Sequence, residues 1–73
     1  MKAKVYITLK NGVHDPQGEA VLGTLKHLGF SGVHHVRVGK YIELDVESAD
    51  QIKGMCEKLL ANTVIESYRF EVE

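Results

Sequence analysis

The chain has 73 residues, a formal charge of −1, 44% hydrophobic residues and a single cysteine. At this length it is expected to form one domain (residues 1–73) with a marginal core, since so short a chain buries only about 60% of the surface its unfolded form exposes. The near-neutral balance excludes a non-specific nucleic-acid or anionic-membrane binder, the apolar runs are too short to span a bilayer, and one cysteine cannot close an internal disulfide. A lone thiol fits a reducing cytoplasm, and Met1-Lys2-Ala3-Lys4 leads straight into a strand pattern rather than a secretory leader.

Ala3, Val5, Ile7 and Leu9 alternate with Lys4, Tyr6, Thr8 and Lys10, the pattern of a half-buried strand. Gly12 then suits a turn with positive φ. Asp15 reads as an N-cap and Pro16 as the first residue of a helix that runs to about Leu28. Capping leaves Gln17-Gly18 unexplained, because Gly in a first turn loses roughly 1 kcal/mol against Ala. The helix has an apolar stripe of Val21, Leu22, Leu25 and Leu28, and Gly29 with Phe30 is placed to end it in a Schellman turn.

Val33–Val38 is expected to be a second strand and Tyr41–Val46 a third. For Val36 and Val38 to face the same core as Ile42 and Leu44, their hairpin needs a three-residue loop or a bulge near Gly39, where glycine leaves positive φ open. Ser48-Ala49-Asp50-Gln51 reads as a capping box for a second helix with Ile52, Met55, Cys56, Leu59 and Leu60 on one face. Asn62 is placed to close that helix in left-handed geometry. Tyr68, Phe70 and Val72 alternate with polar residues in a last strand. The order βαββαβ predicts an α+β, ferredoxin-like fold, a four-stranded antiparallel sheet with both helices on one face. The other face carries Tyr6, Thr8, His35, Arg37, Tyr41, Glu43, Asp45, Arg69 and Glu71 with nothing to cover it.

Little catalytic chemistry is apparent. His34 and His35 are neighbours on a strand pattern and point to opposite faces, and no metal-ligand spacing occurs, so no metal is expected. Cys56 lies on an apolar stripe with no histidine near in sequence, which makes it a core residue rather than a nucleophile. The glycine-containing loop before the first helix matches no phosphate-binding fingerprint, and the Asp15 carboxylate would repel an anion there. Tyr41-Ile42-Glu43-Leu44-Asp45 puts two acids where an RNA-recognition strand needs basic and aromatic residues. Tyr6 and Tyr41 on an open face suit a protein interface better, and they mark a candidate dimer face.

Leu9-Lys10-Asn11-Gly12-Val13 with Asp15-Pro16-Gln17-Gly18, then Val36-Arg37-Val38-Gly39-Lys40 with Ile42-Glu43-Leu44-Asp45, then Met55-Cys56-Glu57-Lys58-Leu59-Leu60-Ala61-Asn62 running on into Val64-Ile65-Glu66 and Tyr68, are three linked blocks. Together they resemble the PurS family, the small subunits of three-component phosphoribosylformylglycinamidine (FGAM) synthase. The resemblance implies a homodimeric, non-catalytic bridge between a glutaminase subunit and a large ATP-dependent synthetase subunit, which convert FGAR to FGAM with glutamine-derived ammonia in purine biosynthesis. It implies no cofactor on this chain, with ATP and Mg on the synthetase, and no nucleic-acid or membrane partner. Gln17, Gly18, Arg37 and Lys40 are then candidate partner contacts, while Gly12, Asp15, Pro16, Gly39 and Asn62 shape the turns. A rival is a small-molecule-binding regulatory domain of the same strand order.

Overall fold

The computed structural model describes all residues, Met1–Glu73. The elements are β1 (Lys2–Leu9), α1 (Pro16–His27), β2 (Lys40–Asp45), a 3₁₀ turn (Ala49–Gln51), α2 (Ile52–Met55), a π turn (Cys56–Leu60) and β3 (Glu66–Val72). The sheet is antiparallel with the order β2-β1-β3, so the first strand sits in the middle. Val5 pairs with Ile42 on one side and with Phe70 on the other. Ala3 likewise lies between Leu44 and Val72. This register puts the apolar sets of all three strands on one face, as the period-2 alternation requires.

Two expectations are corrected. The sheet has three strands rather than four, because Val33–Val38 is not a strand and forms no hairpin with β2. Gly39 explains why. It passes so close to β1 that a Cβ there would lie 2.5 Å from the Ile7 carbonyl oxygen, and the chain before it turns away towards the start of α1. Gly39 has no positive φ. Nor do the helices share one face. α1 has almost no contact with the strands, and only α2 and the π turn cover the sheet.

The core is correspondingly small. Ala3, Val5 and Ile7 of β1 pack with Ile52, Cys56 and Ala61, flanked by Ile42, Leu44, Val46, Leu60 and Tyr68. Leu59, expected on the buried stripe, is 82% exposed. The π turn accounts for this. The Ala61 N–H donates to the Cys56 carbonyl five residues back, which turns Leu59 outward and brings Ala61 in. The capping box is met only in part: Ser48 Oγ accepts from the Asp50 N–H at 3.2 Å and caps the 3₁₀ turn, whereas the Gln51 side chain makes no reciprocal bond and α2 has no side-chain cap. Asn62 does not adopt left-handed geometry, as no non-glycine residue has positive φ. Its Oδ1 instead accepts from the Val64 N–H at 3.2 Å in a local side-chain turn.

The end of α1 follows the sequence closely. Gly29 has φ +99°, its N–H donates to the Lys26 carbonyl, and the Phe30 N–H donates to the Leu25 carbonyl. These are the two bonds of a Schellman motif.

The π turn makes a sharp contrast between two apolar residues seven positions apart, Ile52 and Leu59. Ile52→Ala should cost about 2–5 kcal/mol, as core truncations do, whereas Leu59→Ala should change stability by less than about 0.5 kcal/mol. Urea denaturation of the two variants measures this, and equal losses would contradict the register described.

Candidate functional site

The Asp15-Pro16-Gln17-Gly18 stretch forms a clasp. Asp15 is the N-cap of α1, and its Oδ1 accepts the Gly18 N–H at 2.9 Å. Its other oxygen, Oδ2, accepts the Val38 N–H at 3.0 Å, across 23 residues of sequence. One carboxylate thus ties the helix start to the far end of the 33–38 segment. Pro16 at the first helical position gives up no needed donor. Gly12 has φ +86° in the turn before the clasp.

The clasp also explains Gly18. A Cβ at that position would lie 2.4 Å from the Val36 carbonyl oxygen and 2.6 Å from Asp15 Oδ2. Gly18 is the only buried residue of α1, and the chain approaches it closely enough to admit no side chain. The requirement is tertiary, which is why no rule of helix starts accounts for it.

Two clefts flank the clasp. One, of about 250 Å³, lies between the β1–α1 turn and residues 35–37, and its polar lining includes Lys10, Asn11, His14, His35 and Arg37. Arg37 Nη1 donates to Asn11 Oδ1 at 3.3 Å. The other, about 160 Å³, is lined by Gln17, Gly39, Lys40 and Glu66 among others. Here Lys40 Nζ is 3.4 Å from Glu66, whose side chain is only 14% exposed and also accepts the Asn62 N–H at 2.7 Å. Of the candidate partner residues, Gln17, Arg37 and Lys40 are therefore exposed beside the clasp, whereas Gly18 is buried within it. Glu66 joins them without any local signal in its sequence neighbourhood.

His35 and Arg37, expected on the open sheet face, line the first cleft instead. That open face is internally satisfied. The Tyr6 and Tyr41 rings lie 5.2 Å apart, Arg69 sits 3.9 Å over the Tyr6 ring, and Tyr41 donates to Glu43 at 3.2 Å. Lys2 pairs with Glu43, Lys4 with Glu73 and Arg69 with Glu71.

No nucleophile is activated. Cys56 is fully buried, and burial, then the Glu57 charge, push its thiol up from its ordinary value. No group of three or more His, Cys, Asp or Glu side chains is placed to hold a metal. In the clasp, Asp15 is held below its ordinary value of 3.8 by the Gly18 and Val38 N–H groups, with Arg37 and His14 adding smaller contributions.

Comparison with known proteins decides what this non-catalytic clasp belongs to. The family profile described as PurS, phosphoribosylformylglycinamidine (FGAM) synthase, matches residues 2–73. The chain belongs to the PurS family. It is 54% identical over 77 residues to the phosphoribosylformylglycinamidine synthase subunit PurS of Bacillus subtilis, covering 99% of this chain and 92% of that protein. A crystal structure of B. subtilis PurS superposes with a TM-score of 0.92 at 55% identity, covering 99% of this chain and 96% of that one. A chain in the structure of PurLQS from Thermotoga maritima matches with a TM-score of 0.76 at 26% identity, covering 96% and 93%. In this PurS chain the family-like residues Asp15, Pro16 and Gly18 act together in one piece of geometry.

Two measurements test the clasp. Gly18→Ala should lose about 1–3 kcal/mol by overpacking, although Gly23→Ala, in the same helix with no atom within 4 Å of the added Cβ, should gain about 0.5–1 kcal/mol. A gain at both positions would refute the contact with Val36. The second test is pH. A carboxylate whose pKa is lowered on folding contributes stability above its unfolded value and loses it as pH falls through the folded one. Asp15→Asn should therefore melt below wild type at pH 7, with the gap closing below about pH 4. A gap of constant size from pH 7 to pH 3 would show that the charge contributes nothing.

Proposed function

We propose that this chain is a bridging subunit of an FGAM synthase, without catalysis of its own. It would hold a glutaminase subunit and an ATP-dependent synthetase subunit in register, so that ammonia released at one site is used at the other to convert FGAR to FGAM. The observation that carries this reading is the family match over 72 of the 73 residues joined to a chain whose one thiol is buried and whose candidate motif is a structural clasp. A bridge contributes to rate by positioning rather than by bond chemistry. No cofactor is assigned to this chain. ATP and Mg belong with the synthetase partner, and the proposed setting is the cytoplasm.

The same reading includes a homodimer, and the shape of the chain supports it. The radius of gyration is 15.3 Å, where a compact chain of this length has roughly 11 Å. The accessible surface is 5369 Å², against roughly 4,500 Å² expected for a monomer of this mass. Three features that seek burial do not reach one another within the chain. The α1 stripe leaves Val21 and Leu28 exposed, the core face of β3 leaves Phe70 and Val72 exposed, and the 33–38 segment makes one hydrogen bond from its backbone, to Asp15. A second copy supplies the complement of each. The apolar face of the sheet and α1 are thus better dimer surfaces than Tyr6 and Tyr41, whose neighbours are already paired. A small-molecule sensor of the same strand order is the weaker reading, since the family match over residues 2–73 points to a synthase subunit.

Removing the chain should abolish glutamine-dependent FGAM formation by the matching synthetase and glutaminase while sparing activity with free ammonia. Full glutamine-dependent turnover without it would discard the bridge. For the dimer, light scattering should give twice the chain mass at micromolar concentration. Val21→Glu should shift it to the monomer and Tyr41→Lys should not; the reverse pattern would move the interface to the open face.

A further inference from the structure

The cations of this chain fall into two sets. Lys2, Lys4, Lys40 and Arg69, on or beside the sheet, each have a carboxylate within 4.0 Å. The other five lysines and arginines have none, and two of these five, Arg37 and Lys10, line the larger cleft beside the clasp. Both are exposed. Of the two acids of that cleft, Asp15 is engaged by two backbone N–H groups, and Glu19 lies exposed at the rim, 3.8 Å from the His14 ring. The one side-chain partner of Arg37 is Asn11 Oδ1, a neutral acceptor that orients the guanidinium without neutralising it. A guanidinium has five N–H donors in a planar fork, and one such bond leaves the others free. That fork matches a carboxylate in two-point geometry, and a fixed fork loses less freedom on binding than a mobile one. The position is held from behind by the clasp, because Arg37 immediately precedes the Val38 N–H that Asp15 anchors.

We propose that this cleft is a carboxylate-accepting notch for an acidic segment of a partner subunit, with the Arg37 fork taking an Asp or Glu side chain and Lys10 supplying a second positive charge at its rim. The inference rests on the bridging role proposed above and assigns one surface of that bridge. Asn11 is a positioning residue, acting through Arg37. The helix N-terminus plays no part as a ligand, since Asp15 already occupies its donors.

The test is assembly of this chain with the matching synthetase and glutaminase subunits, followed by sedimentation velocity at several salt concentrations. Arg37→Gln should weaken assembly roughly tenfold or more, as loss of one partner of a hydrogen-bonded charge pair does. Arg37→Glu should weaken it further, and Arg37→Lys should restore only part, because an ammonium lacks the fork. Asn11→Ala should fall between wild type and Arg37→Gln. Wild-type assembly should weaken as salt rises more steeply than that of Arg37→Gln. Circular dichroism and the mass of the isolated chain should be the same for wild type and Arg37→Gln, which separates lost docking from lost folding. Wild-type assembly with Arg37→Glu assembling equally well would overturn the notch and leave the bridge standing. Failure of the wild-type chain to assemble at all would overturn both. Equal recovery by Arg37→Lys and wild type would overturn the two-point geometry.

Discussion

One carboxylate organises the half of this molecule that lies outside the sheet. Asp15 satisfies a donor at the start of α1 and, with its second oxygen, the backbone of Val38. Without that second bond nothing in the backbone ties residues 33–38 to the rest of the chain. Both flanking clefts depend on the same tie, since His35 and Arg37 wall one and Gly39 and Lys40 the other. The same two backbone donors hold the carboxylate's pKa below its ordinary value, so its charge persists to lower pH. The clasp is therefore a joint between helix and segment, and the exposed motif residues around it take their positions from it.

The second constraint is the sparseness of the core. Six apolar residues are fully buried, half of them on β1. α2 and the π turn cover one end of the sheet's apolar face, and α1 covers none of it. For a chain of this size hydrophobic burial barely offsets conformational entropy even when packing is complete. Here the apolar surface left over is divided between α1 and the β3 edge, which do not pack against one another.

Sequence reasoning succeeded where the determinants are local. The alternation of β1, the Asp15-Pro16 start and Gly29 stop of α1, and the pairing face of Tyr68, Phe70 and Val72 all follow from the preferences of neighbouring residues. It failed where distant atoms decide. Val33–Val38 has the composition of a strand, yet Asp15 and the close passage of Gly39 under Ile7 draw it away from the sheet. Gly18 made no sense as a helix residue until the Val36 carbonyl was placed against it. The stripe from Ile52 to Leu60 announced a helix, but the apolar spacing does not say that a five-residue repeat at Cys56 rotates Leu59 out of the core. Of the candidate site, the exposed positions Gln17, Arg37 and Lys40 were readable as motif residues. The engagement of Lys40 by Glu66, 26 positions on, was not.

The strand order has a consequence for how the chain folds. β1 is the centre of the sheet, and its second neighbour, β3, lies nearly 60 residues further along the sequence. The Glu73 N–H closes the edge by donating to the Lys2 carbonyl. Pairings between segments so far apart in sequence carry the loop-closure entropy of nearly the whole chain. Until β3 docks, the apolar row Ala3-Val5-Ile7 has at most β2 and the α2 region to lie against. Closure of β3 on β1 is thus the slow, non-local step of folding, and any species that lacks it carries an open strand edge beside β1.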